Sequence, residues 1–366
     1  MSEHRRIRSL GVERPGQGFF FEYDEGPPGE GQVRLETLYT GFSAGTELTF
    51  FKGTNPYLHS RWDGERGVFI SGEAGQHFPV PFLGYMEVAR VVESRTPAFQ
   101  AGQVVSTTYA HKSGHTADPF HDTLVPLPAG LDPILGIYVA QMGPIAANGI
   151  LHADAEFFGA NVPRLGAGIA ERPVLVIGGG VVGLLTALFA KNCGAAEVVI
   201  ADPSPFRRQV AAGLGLEAVT EAEAWSLAKS RWHHGGGDRG ADVVFQTRAH
   251  ADALQTALKA LRPQGVVIDL AFYQGGADAV RLGEEFHHNG LSLRCAQINR
   301  VPRGLGFTWS RRRLALETIT LLERFGDDIK KHVITHIVPF DEGPDFIKTL
   351  VETRPDFLQI VFKSAG

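Results

Sequence analysis

Residues 174–183 read Val-Leu-Val-Ile-Gly-Gly-Gly-Val-Val-Gly. The apolar, mostly β-branched run predicts a buried strand, the glycines a tight turn, and the apolar stretch Leu184–Lys191 a helix. Gly178, Gly180 and Gly183 stand at G-x-G-x-x-G spacing, the fingerprint of a dinucleotide turn. Gly178 permits the turn out of the strand, Gly180 lets backbone amides approach a pyrophosphate, and Gly183 lets the helix pack against the sheet. The helix start at Val181 and Val182 offers unpaired N–H groups and a positive dipole end to phosphate.

Working outward, Gly194 stands where a helix should stop. Glu197–Ala201 predicts a second strand, ending at Asp202, 19 residues after Gly183. That spacing is close to the roughly 20 expected of the acid that hydrogen-bonds an adenosine ribose. A carboxylate there accepts from both ribose hydroxyls and repels a 2′-phosphate, so NAD(H) is expected over the phosphorylated form. The plainer alternative is an ordinary β-α-β unit with a glycine turn and a surface Asp.

Further strands are predicted at 242–246 and 265–270, with a helix over Ala251–Leu261 between them. Such alternation implies a doubly wound parallel sheet with right-handed crossovers and ligand at the carboxyl ends of its strands. Thr247 and Leu270 lie at such ends and are expected to line the nicotinamide side. The first 150 residues differ: rich in Gly and Pro, with short strands at Gln32–Leu38, Val88–Val92 and Val104–Thr108, they predict an irregular barrel or sandwich. After 298 come a helix over Arg311–Phe325 and a strand at Gln359–Phe362. The expected organisation is a discontinuous β-rich domain, 1–151 and 298–366, bracketing an α/β domain at 152–297.

A chain of 366 residues suits two domains, and 43% hydrophobic with 20% charged residues is ordinary for a globular protein. No run of about 18 apolar residues occurs, so no membrane partner is expected. The polar, basic Met1–Arg8 does not read as a secretory signal. A net charge of −5 without a long basic block argues against nucleic acid. Cys193 and Cys295 are too few for a disulfide framework, and reduced thiols in the cytoplasm are the simplest setting.

Other segments carry a resemblance. Gly41-Phe42-Ser43-Ala44-Gly45-Thr46-Glu47 resembles the early Gly-Ile-Cys-x-Ser/Thr-Asp segment of the medium-chain dehydrogenase/reductase superfamily, the alcohol dehydrogenase-like proteins, with one residue inserted. Leu83–Val92 resembles its Gly-His-Glu-x-x-Gly-x-Val segment, and Val333-Ile334-Thr335-His336 a stretch before its last helix. The resemblance spans nearly the whole chain. It implies a GroES-like β-rich catalytic domain, a Rossmann domain, a cleft between them, hydride transfer to or from a nicotinamide, and pairing into a homodimer or higher homo-oligomer. Arg207 resembles the basic residue beside the adenosine ribose.

The resemblance also marks a loss. The position matching the family's zinc-ligating Cys is Ser43, its His is Met86 (or Tyr85 if the register slips), and its Glu-Pro pair is Gly143-Pro144. Residues 94–122 contain no Cys, so the structural zinc lobe is absent as well. A hydroxyl, a thioether and a hydrogen do not replace thiolate, imidazole and carboxylate around Zn²⁺, and a zinc-independent enzyme is expected. A relocated metal site at His111, His115 and His121 is the competing idea; a polar loop with three solvated or cleft-lining histidines is preferred, because Gly114, Asp118 and Pro119 oppose the helix that would align them.

Without a Lewis acid, hydrogen-bond donors must stabilise the developing alkoxide. Thr46 resembles the family's proton-relaying hydroxyl, and Tyr85 offers a donor to a carbonyl oxygen. Glu47 and Glu87 are candidates for base or polyol anchor, and His111 for general acid–base work. For each, a structural role such as a turn cap or strand pair is the competing assignment. The basic Arg294–Arg313 segment reads either as a solvated helix start or as an anion pocket. The expected activity is interconversion of hydroxyl and carbonyl on a small polar substrate: polyol, sugar, cyclitol or similar alcohol. A quinone or enoyl reductase of the same fold and a non-catalytic nucleotide-binding protein are the alternatives.

Overall fold

The structure is a computed structural model that describes residues 4–364; the outermost residues of the Met1–Arg8 segment and of the last expected domain lie outside the described residues. The chain divides into two compact units, one running to Gln141 and resuming at Ile334, the other Met142–Val333.

The first unit opens with a hairpin of β1 (Arg5–Arg14) and β2 (Gln17–Glu25), followed by β3 (Val33–Phe42) and the short helix α1 (Ala44–Phe51). A small hairpin, β4 (Ser60–Asp63) and β5 (Val68–Ser71), precedes β6 (Glu87–Ser94), β7 (Val104–Thr107), β8 (Gly114–Ala117) and β9 (Leu124–Pro126).

The second unit begins with α2 (Met142–Phe158), then β10 (Pro173–Ile177), α3 (Val181–Asn192), β11 (Glu197–Ala201), α4 (Pro205–Gly213) and β12 (Glu217–Val219). It continues with α5 (Glu221–Arg231), β13 (Ala241–Gln246), α6 (Ala251–Ala260), β14 (Leu261–Asp269), β15 (Ser292–Cys295) and α7 (Arg311–His332). The chain then re-enters the first unit as β16 (Ile334–Pro339), α8 (Gly343–Thr353) and β17 (Gln359–Lys363).

In the second unit the sheet order is β12-β11-β10-β13-β14-β15, all parallel. This is the doubly wound order with its switch point between β10 and β13. Helices cover both faces, which is why Val174–Ile177 and Ala241–Gln246 are buried without alternation. Leu175, Ile177, Val244 and Val267 pack with Leu254, Leu258 and Trp232 into one core. The strand expected at 265–270 begins earlier, at Leu261, with a register shift before Val266, and Gln264 takes φ +65°.

In the first unit β3 pairs with β17, β6 and β8, in a sheet ordered β16-β17-β3-β6-β7-β9. One side of this sheet buries Leu35, Ala89, Val105 and Ala117. A second cluster joins Leu10, Val12, Phe42, Phe51, Phe340, Ile347 and Phe362.

The units meet in sequence at 141/142 and 333/334, whereas breaks at 151/152 and 297/298 were expected. Packing explains the difference. Gly143, on the first turn of α2, has no side chain because Thr318 of α7 fills that space. Leu314, Ala315, Leu321 and Leu322 of α7 are buried, and α7 contacts α2, α3 and α4. The helix therefore packs with the Rossmann-type sheet, and it runs seven residues beyond the expected end at Phe325. Among the described residues, no helix is long and apolar enough to cross a membrane.

Candidate functional site

The second unit presents the glycine turn as a built cradle. Gly178 has φ +109°, a value that strains any residue with a Cβ, and a Cβ there would also stand 2.5 Å from Thr247 Oγ1. A methyl at Gly183 would be driven into the carbonyl oxygen of Gly178. Gly180 differs: it caps α3 at φ −76°, ψ 179°, and a Cβ there would meet nothing within 4 Å. The fold itself has no need of glycine at 180. The open space faces the N-terminus of α3, which is what close approach of a phosphate requires. The residues present therefore fit a dinucleotide.

Asp202 follows β11 and is 1% exposed. Its Oδ2 accepts from Gly179 N–H at 2.7 Å and its Oδ1 from Ser204 N–H at 2.8 Å, which locks the carboxylate beside the turn. Arg207 lies 3.6 Å from it and remains part-exposed. The Arg208 guanidinium donates to the Asp202 carbonyl at 2.8 Å. Val181 and Val182 form the first turn of α3 and are half-buried. Thr247 is already committed: its hydroxyl donates to the carbonyls of Ile177 (2.9 Å) and Gly178 (3.1 Å), strapping β13 to the turn. Leu270 is half-buried, and its methyls occupy the space a side chain at Gly149 would need.

The first unit gathers a continuous polar chain. Thr40 Oγ1 lies 2.7 Å from His111 Nδ1, and His111 Nε2 lies 2.7 Å from Glu47 Oε2. Glu47 Oε1 accepts from Ser43 N–H at 2.7 Å, so the carboxylate caps the start of α1, whose cap residue makes no side-chain cap bond of its own. Ser43 Oγ hydrogen-bonds Tyr85 Oη, and that phenol donates to Thr46 Oγ1 at 3.4 Å. Burial pushes the Tyr85 phenol above its usual range, against the hydrogen bonds from Ser43 and Thr46 that pull it down. It therefore remains a neutral donor at physiological pH.

Exposure separates these groups. Thr40, Glu47 and His111 are 1%, 2% and 0% exposed, whereas Thr46 and Tyr85 are only half-buried. Thr46 and Tyr85 are thus the accessible members of the chain, while Glu47 holds the Ser43 backbone and His111 holds Glu47. Gly84 has φ +93°, and a Cβ there would stand 2.8 Å from the His111 ring, so glycine at 84 is what lets the imidazole sit against this loop. Tyr85 faces Ser43, while Met86 is fully buried and packs where a side chain at Gly41 would go. The position beside Ser43 is thus Tyr85, not Met86.

Glu87 belongs to a different cluster. It is fully buried and accepts from Thr37 Oγ1 at 2.5 Å and Thr107 Oγ1 at 2.6 Å, with His115 Nδ1 3.5 Å away. Burial raises its carboxyl, but the nearby His115 and the hydrogen bonds from Thr107 and Thr37 outweigh that, and it ionises below its usual range.

The expected loop of three solvated or cleft-lining histidines is corrected for two of the three. His111 and His115 are buried, each against its own glutamate, and only His121 is exposed. Among the described residues, no group of three or more His, Cys, Asp or Glu is arranged to hold a metal. The hydroxyls of Ser43 and Tyr85 do not replace the thiolate and imidazole that tetrahedral zinc takes.

Part of the basic segment is absorbed locally. Arg294 pairs with Glu156, and the Arg313 guanidinium lies 3.6 Å over the Trp309 ring. Ser310 caps α7 by accepting from Arg313 N–H, and the Arg300 carbonyl accepts from Asn148.

The structure also adds residues that sequence reasoning did not select: Thr40, Thr37 and Thr107, and Gln246, Asp269 and Tyr273 beyond the strand ends. Asp269 carried a usable signal, since it ends an apolar strand as Asp202 does.

The chain is similar to known dehydrogenases in sequence and in fold. Residues 181–302 match the family model described as zinc-binding dehydrogenase. A D-guloside 3-dehydrogenase of Escherichia coli (strain K12) is 24% identical over 356 residues, covering 96% of this chain and 97% of its own. A 2-dehydro-3-deoxy-L-galactonate 5-dehydrogenase of Pseudoalteromonas atlantica is 27% identical over 261 residues, covering 67% of this chain and 70% of its own. Among solved structures, an alcohol dehydrogenase of Thermotoga maritima is similar at TM-score 0.72 and 16% identity, covering 98% of this chain and all of that one.

Proposed function

We propose that this chain, which belongs to the medium-chain dehydrogenase/reductase superfamily, is a zinc-independent oxidoreductase that uses NAD(H) to interconvert a hydroxyl and a carbonyl on a sugar, polyol or cyclitol. The observation that carries the proposal is the Ser43–Tyr85–Thr46 hydroxyl cluster, in which Ser43 and Tyr85 take the place of two of the family's ligand residues. The sugar-acting names of the two relatives support the substrate class.

The nicotinamide supplies the hydride chemistry when bound. Gly178, Gly180 and Gly183 with Val181 and Val182 would hold the pyrophosphate, and Asp202 with Arg207 the adenosine ribose. The fixed Asp202 carboxylate disfavours a 2′-phosphate, which supports NAD(H). Thr46 and Tyr85 stabilise the developing charge on the reacting oxygen by hydrogen bonding, and its proton passes through their hydroxyls to water on oxidation and returns from water on reduction. Glu47 and His111 hold the Ser43 backbone, so that its hydroxyl stays on the Tyr85 phenol. Glu87 takes no part at this cluster and secures β3, β6 and β7.

The test is an NAD-linked screen of polyols, methyl glycosides and simple alcohols, run beside enones with NADH. Turnover is expected on a polyol or glycoside, and Thr46→Ala and Tyr85→Phe should each lower kcat by about 100-fold or more. Enone reduction alone, or full activity in both variants, would refute the assignment.

A further inference from the structure

The carboxyl ends of β13 and β14 carry a polar network that strand packing does not require. Gln246 and Asp269 are the last paired residues of the two strands and lie opposite each other in register. They are 0% and 7% exposed at the ends of apolar runs, where a Val or Ile would fill the sheet at no desolvation cost.

Tyr273 joins them. Its Oη donates to Asp269 Oδ2 at 2.9 Å and accepts from Gln246 Nε2 at 3.1 Å. The same Gln246 amide donates to the Arg248 carbonyl at 2.6 Å, and Asp269 Oδ1 accepts from Ala271 N–H at 2.8 Å. Three side chains thus fix the first residues of two loops, 247–250 and 270–275. Phe272, 44% exposed, is held between the tethered Ala271 and Tyr273. Burial raises the Asp269 carboxyl, so the network is maintained against a desolvation cost.

A doubly wound sheet takes one mononucleotide on each half. The β10–β11–β12 half already has its anchors, the glycine turn and Asp202. The β13–β14–β15 half has no equivalent motif, and this network stands at its strand ends. We propose that Gln246, Asp269 and Tyr273 are positioning residues for the nicotinamide ring of the cofactor, setting the loop backbones that receive it. This rests on the proposed use of NAD(H).

The experiment compares two ligands on the full-length protein by titration calorimetry: NADH, and ADP-ribose, which lacks the nicotinamide. Tyr273→Phe keeps the ring and removes the hydroxyl. It should weaken NADH about tenfold, which equals about 1.4 kcal/mol, and change ADP-ribose less than twofold. Gln246→Met, which keeps length without the donor, should show the same split. ADP-ribose binding also reports that each variant is folded. Equal weakening of both ligands, or of neither, would overturn the proposal, because a merely structural network gives no split. Failure of the unaltered protein to bind either ligand would instead refute the dinucleotide assignment itself, and this inference with it.

Discussion

Gly180→Ala separates what the fold needs from what a ligand needs. At φ −76°, ψ 179° an alanine is unstrained, and its methyl meets no protein atom within 4 Å. Replacing glycine at a compatible position stabilises by about 0.4–1 kcal/mol through the unfolded chain. Alanine is a poorer helix cap than glycine, which costs a few tenths to about 1 kcal/mol. The two effects nearly cancel, so free stability should change by less than about 1 kcal/mol. The methyl would, however, occupy the approach to the α3 amides and weaken a charge-assisted hydrogen bond worth about 1.5–3 kcal/mol. NADH affinity should then fall about 10- to 150-fold. Gly183→Ala is the control: its methyl collides with the Gly178 carbonyl and should cost about 1–3 kcal/mol or more in the free protein. The assays are urea unfolding without nucleotide and calorimetric NADH titration. Unchanged NADH affinity in Gly180→Ala would refute the phosphate role, and a loss of free stability well above 1 kcal/mol would refute the steric reasoning.

Glu47→Ala leaves His111 Nε2 and the Ser43 amide without their partner in a buried site, and should destabilise by about 3–5 kcal/mol; a lower urea midpoint at unchanged slope is the expected result, and an unchanged midpoint the contrary one. Glu87 ionises below its usual range in the folded state, so the stability it contributes is complete above the unfolded value of about 4.3 and is lost as pH falls towards the lower folded value. Glu87→Gln should remove that part of the acid limb. Urea midpoints measured between pH 3 and pH 7 would show a shallower fall on the acid side, and identical pH slopes in both proteins would argue against it.

The α/β unit was legible because its signals are local. One run of sequence holds the β10 strand, the glycine turn and the α3 start, and Asp202 follows at a spacing set by a single β-α-β unit. The parallel strands are buried on both faces, so continuous apolar runs mark them. The first unit was less legible. β1 and β2 are largely polar at their exposed positions, and their pairing rests on register, with Arg5 opposite Glu25, which periodicity does not reveal. α7 was placed by its position in sequence, whereas its apolar face decides where it packs. At the candidate site the residue types were readable but their partners were not. Glu47 and Glu87 looked equivalent as free carboxylates, yet α1 turns one towards His111 while β6 directs the other between Thr37 and Thr107. His111 and His115, four residues apart, were separated in the same way by strand geometry. Tyr273 was missed because its role depends on β13 and β14 ending side by side.

The measurement that bears most directly on the central claim is NAD-dependent turnover of a polyol or methyl glycoside before and after exhaustive dialysis against a chelator, with metal content assayed in parallel. Hydroxyl groups at Ser43, Tyr85 and Thr46 in place of a metal predict unchanged kcat with no stoichiometric zinc. Loss of turnover on chelation, restored by adding zinc, would contradict it.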